Sequence, residues 1–73
     1  MRHIAIEEWS VEDVGEWMEE LGFGKMKASF IENYISGLEL VELTNDELKD
    51  DLGVTALGVR KGLLREIAKL KSE

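Results

Sequence analysis

The 73-residue chain has no cysteine and no proline, one histidine, and only five aromatic residues. Without cysteine there are no disulfides and no thiolate metal sites, and the fold has no covalent staple. Without proline, no segment carries a built-in helix break. No apolar run approaches the roughly 18 residues of a membrane span, and the opening MRHIAIEE does not resemble a secretory signal. A chain of this length hides only about 60% of the surface its unfolded form exposes, so one small core is expected and no enclosed cavity for a large ligand. These absences lead us to expect a single intracellular domain cut from a longer protein, with no catalytic, cofactor-binding or metal site.

What is present is ordinary apolar content, 44%, and a high share of charge, 34%. That composition argues for a folded domain over a disordered one. The formal net charge is −7, unevenly distributed. Residues 1–55 carry four basic side chains against fourteen acids, a local balance of −10, whereas residues 56–73 carry five against two, a balance of +3. Such asymmetry speaks of partners rather than of fold.

The apolar spacing predicts an all-α, five-helix bundle. Residues 1–8 form an expected N-terminal arm that lays Ile4 or Ile6 on the core and carries the lone His3, and residues 72–73 form a tail. After Trp9, Ser10 is a good N-cap with Asp13 at the acidic position of a capping box. Val11, Val14, Trp17, Met18 and Leu21 then share one helix face, closed by Gly22. Lys25 to Asn33 reads as a second helix with Met26, Phe30 and Ile31 inward; Tyr34, just past it, reads as a packing residue rather than a modification site. Leu38 to Leu43 can hold one helical turn, with Leu40 or Val41 partly exposed. Thr44 and Glu47 predict a capping box for a fourth helix whose Leu48 and Leu52 face the core. Gly22, Gly24, Gly37 and Gly53 sit between helices, where positive φ is useful. Thr55 is the expected cap of a last helix from about Ala56 to Lys71, about 24 Å long. Segments this short are not stable helices alone in water, so they must pack on one another with the last helix as spine.

On a helical wheel Ala56, Leu63, Ile67 and Leu70 make that spine's core stripe, with Val59 at its edge. Gly58, Lys61, Gly62 and Arg65 fall on the far side. A glycine inside a helix costs about 1 kcal/mol relative to alanine, so two on one exposed face call for a reason. Bared backbone at a helix N-terminus, flanked by Lys61 and Arg65, is a receptor for carboxylates or phosphates. The segment LELVELTNDELKDD, residues 38–51, offers the complement: Glu39, Glu42, Asp46, Glu47, Asp50 and Asp51 against Lys49 alone. Docking of one copy's basic face on another's acidic face is a head-to-tail contact, which makes open filaments unless it closes a ring.

WSVEDVGEWMEELGF (9–23), FIENYISGLELVELTNDELKDDLGV (30–54) and TALGVRKGLLREIAKLK (55–71) together resemble a sterile alpha motif (SAM) domain over residues 9–71. The carrying positions are Trp9, Val14 to Trp17, Phe30, Ile35 with Gly37, Leu43-Thr44, Leu48, Leu52-Gly53-Val54 and Leu57-Gly58 with Arg60. The resemblance implies a five-helix bundle and a protein-interaction module that pairs with itself or with another SAM domain. It implies an end-helix surface of Leu57, Gly58, Val59, Arg60, Lys61 and Arg65, to which the wheel adds Gly62. The six acids of 39–51 are candidates for the opposing mid-loop surface. Met26 stands where the family often has an aromatic, and Val59 where it often has histidine or another polar residue.

The alternative is an RNA-hairpin binder of the Smaug type, whose last helix begins similarly. Lys25 and Lys27 would add to Arg60, Lys61 and Arg65, about five cations where strong nucleic-acid binders neutralise six to ten phosphates. The acidic remainder repels a polyanion, so nucleic acid and membrane partners are both disfavoured. An enzyme is disfavoured too: Glu19-Glu20 and Asp50-Asp51 read as solvated pairs with no pocket to shift their pKa values.

Overall fold

The helices that start at Val11, Gly37 and Asn45 begin where a side chain satisfies their first N–H groups. The computed structural model describes residues 4–72, in which five α-helices and two single-turn 3-10 helices pack around one core, with no strand among the described residues. The predicted position of His3 falls outside those residues. The helices are α1 (Val11–Glu20), α2 (Lys27–Glu32), α3 (Gly37–Leu40), α4 (Asn45–Asp50) and α5 (Leu57–Lys71).

Both sequence-predicted capping boxes are present. The Ser10 hydroxyl accepts from the Asp13 N–H at 3.1 Å while Asp13 accepts from the Ser10 N–H at 3.0 Å. Thr44 and Glu47 do the same for α4, at 3.2 and 3.1 Å. Gly22 (φ 87°) and Gly53 (φ 71°) close α1 and α4 in the left-handed region, where a Cβ would be strained. Gly24 and Gly37 have no positive φ, so that part of the expectation is corrected. Gly37 is needed for another reason: a Cβ there would lie 1.6 Å from the Ile6 carbonyl oxygen. That close approach lets the Gly37 N–H donate to the Trp9 carbonyl at 3.0 Å and pins the N-terminal segment against α3.

The arm turns through a single 3-10 turn, Ile6–Glu8, and as expected lays Ile6 on the core while leaving Ile4 half exposed. Trp9 meets Trp17 edge-to-face at 6.2 Å, beside a core of Val14, Met18, Phe30, Leu40, Leu48, Leu52, Leu63 and Ile67. The second predicted helix divides into a 3-10 turn, Gly24–Met26, and α2. Its inward face is narrower than expected: Phe30 is buried but Ile31 is 41% exposed. Phe30 takes the buried position, and Ile31, about 100° round the helix from it, is left partly in solvent. Leu40 is fully buried and Val41 only half so. Ala56, assigned to the core stripe, is instead the exposed N-cap of α5, and Leu63 and Ile67 carry the burial.

Candidate functional site

Two surfaces carry the charge asymmetry, and α4 supports both. The first is the head of α5. Leu57 is 53% exposed, and a Cβ built on Gly58 would meet nothing within 4 Å, so the backbone there is open. Lys61 and Arg65 are exposed and engage in no ion pair or hydrogen bond among the described residues. No side chain caps the helix; Thr55 does not, contrary to expectation. The Val59 N–H donates to the Ala56 carbonyl at 3.1 Å, while those of Leu57 and Gly58 have no hydrogen-bond partner among the described residues, which suits a site for negative charge.

Three of the expected end-helix residues play other parts. Arg60 is only 7% exposed. Its Nε donates to Asn45 Oδ1, and its Nη1 donates to the carbonyls of Val54 and Thr55, all at 2.8 Å. It is a strut that ties the first turn of α5 to the first residue of α4 and to the loop between them, and it presents no free charge. Gly62 is half buried, and a Cβ there would lie 3.3 Å from Phe23 Cζ, so close packing within the chain explains this glycine. Val59 is half buried against the core. Leu57, Gly58, Lys61 and Arg65 remain as the outward set.

The second surface is an open groove of about 370 Å³ lined by Asn33, Ile35, Glu39, Glu42, Leu43, Glu47, Asp51 and Leu52. Four carboxylates surround an apolar floor of Ile35, Leu43 and Leu52. Of the six acids anticipated from sequence, Glu39, Glu42, Glu47 and Asp51 converge here, whereas Asp46 and Asp50 are exposed elsewhere on α4 and do not line it. Asn33 and the floor were missed by sequence reasoning. The signal lay in the leucines interleaved with the acids, which read as core alone.

The groove acids are partly pre-oriented. Glu39 accepts from the Ser36 hydroxyl and from the Ser36 N–H, the latter at 3.2 Å. Those bonds, the hydroxyl first, hold its carboxyl below the usual glutamate value. Glu47 uses one oxygen on the Thr44 N–H. Among the described residues no ion pair joins the cations of the α5 head to the acids of 39–51. The two surfaces are thus unsatisfied within one copy. Beneath them, the Arg60 guanidinium ties α5 to α4 through the uncharged amide of Asn45.

Comparison with known proteins bears on the family and the fold. The SAM domain (sterile alpha motif) family pattern matches residues 7–71. Human WD repeat, SAM and U-box domain-containing protein 1 is 39% identical over 67 residues, 92% of this chain and 14% of that protein. Protein pob1 of Schizosaccharomyces pombe is 41% identical over 63 residues, 86% of this chain and 7% of that protein. Human SH3 and multiple ankyrin repeat domains protein 2 is 39% identical over 62 residues, 85% of this chain and 3% of that protein. The chain therefore spans only a small part of the length of these relatives. Among solved structures, a chain in the crystal structure of the Scm-SAM and Sfmbt-SAM heterodimer superposes with a TM-score of 0.84 at 26% identity, covering 93% of this chain and 96% of that one. With its five helices in the expected order and its sequence matched from residue 7 to residue 71, this chain belongs to the sterile alpha motif family.

Proposed function

We propose that the domain is a protein–protein interaction module that docks head-to-tail, with itself or with another SAM domain. The observation that carries this reading is the pair of complementary surfaces left unengaged on one chain. The exposed Leu57 matches the apolar floor of the groove, and Lys61 and Arg65 match its carboxylate rim. Gly58 lets the two backbones come close. The net charge of −7 does not oppose this, because charges more than about 8–10 Å apart are screened at physiological salt and local complementarity decides. Since α4 holds the α5 head through Asn45 and lines the groove through Glu47, the two faces are rigidly related. A contact of this kind propagates as a filament unless its rotation closes a ring.

Docking fits the groove, in which Glu39 and Glu47 are held by the Ser36 and Thr44 N–H groups beside apolar residues. The RNA reading is weakened: Arg60 is engaged inside the fold and Lys27 pairs with Glu19 at 2.8 Å, which leaves Lys25, Lys61 and Arg65 of the five cations it needs. No described helix is long and apolar enough to cross a membrane, and an intracellular setting completes the proposal.

Sedimentation velocity over a concentration range tests it. Lys61→Glu and Glu42→Lys each remove one face without touching the core, and each should weaken association about tenfold or more. An equimolar mixture should recover a single dimeric contact through the two intact faces. If both reversals leave the sedimentation profile of the parent, the surfaces are wrong.

A further inference from the structure

Tyr34 is the anomaly outside the two charged faces. It is 79% exposed, the most exposed of the large apolar side chains, so it is no packing residue. Its phenol makes no hydrogen bond among the described residues. Its backbone has φ 53°, the one non-glycine residue in the left-handed region among those described. The N–H donates to the Ile31 carbonyl and the carbonyl accepts from the Ser36 N–H, both at 3.0 Å, so the turn is held. Glycine or asparagine adopts this conformation with less strain, and the ring returns nothing to its own fold. Its chain neighbours Asn33 and Ile35 both line the acidic groove, so the Tyr34 backbone lies beside it, while the exposed ring is not part of the lining.

We propose that Tyr34 is an anchor for the incoming α5 head of a second copy, taking the ammonium of Lys61 or the guanidinium of Arg65 on its ring face. This rests on the head-to-tail reading and adds a residue that charge patterning alone does not reveal. The chemistry is complementary. A cation entering a carboxylate-rimmed groove meets an aromatic face whose quadrupole attracts it, and the attraction strengthens as water is excluded. Tyrosine suits the role because it presents a large rigid surface with few rotatable bonds, and it is enriched among residues that dominate binding. Both candidate cations are exposed and have no ion pair among the described residues, so no contact among those residues must break first.

The experiment compares Tyr34→Asn, Tyr34→Leu and Tyr34→Phe with Lys61→Glu, reading association by sedimentation velocity up to about 1 mM and folding by thermal unfolding. Tyr34→Asn should keep the melting temperature or raise it by about 2–5 °C, since asparagine tolerates the left-handed turn, while weakening association about tenfold. Tyr34→Leu, apolar but without a π face, should weaken it similarly, and Tyr34→Phe should stay within about threefold of the parent. If the asparagine and leucine variants associate like the parent while Lys61→Glu does not, the anchor is refuted and the head-to-tail reading stands. If Lys61→Glu also associates like the parent, the reading beneath it fails. A melting temperature lowered by the asparagine change shows the ring serving its own fold, and a parent that stays monomeric removes the occupant; either result overturns the inference.

Discussion

Arg60→Ala separates two roles that a basic residue at the head of a helix can play. If Arg60 were a docking charge, its loss would weaken association and leave folding alone. The structure makes it a strut, with three hydrogen bonds of 2.8 Å from one guanidinium to Asn45, Val54 and Thr55. Hydrogen bonds to a charged group contribute about 1.5–3 kcal/mol each in isolation, but three from one side chain do not add fully. Truncation also strands the Val54 carbonyl, in a residue only 3% exposed, at about 1–3 kcal/mol. A total near 3–4 kcal/mol follows. Domains of this size have only about 4–11 kcal/mol in all, so the variant loses a large share of its stability.

The assay is urea unfolding followed by far-ultraviolet circular dichroism, with thermal unfolding beside it. A loss of about 3 kcal/mol lowers the melting temperature of so small a domain by about 15 °C or more. Arg60→Lys keeps the charge but not the fork, and should lose about half as much. Asn45→Ala removes one arm, and its double-mutant cycle with Arg60→Ala should return a coupling near 1.5 kcal/mol. Raising salt should change these differences little, because a buried contact is poorly screened. A melting temperature within about 2 °C of the parent, with association weakened instead, refutes the strut and returns Arg60 to the docking surface.

Gly37→Ala should unfold the domain or detach its N-terminal segment, read as lost near-ultraviolet signal from Trp9, since no Cβ fits 1.6 Å from the Ile6 carbonyl. Gly58→Ala meets open space and should raise the melting temperature by about 3–6 °C through helix propensity; a decrease would show hidden crowding. Glu39 should titrate below ordinary glutamates by NMR, and Ser36→Ala should move its midpoint up, because the Ser36 bonds are the main cause of the depression. The sign follows: the stabilisation from this carboxylate is complete above 4.5 and is lost as pH falls through the lower folded value. Thr44→Ala should cost about 1 kcal/mol by urea unfolding, as loss of a helix N-cap does; no change would mean that Glu47 alone secures α4.

The particulars that sequence reasoning captured are local ones. A Ser-x-x-Asp or Thr-x-x-Glu spacing brings its partners together within one turn whatever the rest of the chain does, so Ser10 with Asp13 and Thr44 with Glu47 were readable as caps. What escaped it depends on residues far apart in the chain. Arg60 is buried where the Asn45 amide oxygen, fifteen residues earlier, joins the Val54 and Thr55 carbonyls in accepting from its guanidinium. Gly62 is accounted for only by Phe23, thirty-nine residues away. Ile31 is left partly exposed beside the buried Phe30, because the partners that cover that side of α2 are set by the packing of the other helices. The acids of 39–51 were legible as charge, but their division into a groove set and an outer set follows from how α3 and α4 pack. Three residues of the basic face, Arg60, Gly62 and Val59, are engaged inside the fold, which leaves Leu57, Gly58, Lys61 and Arg65 outward. On the docking proposal the smaller set is the more specific one, because among the described residues Lys61 and Arg65 have no ion pair and Gly58 and Leu57 are exposed beside them in the chain. A diffuse basic surface would attract any polyanion. Two free cations beside one apolar knob fit a groove with carboxylate walls and an apolar floor, and that is the shape the other surface of this chain presents.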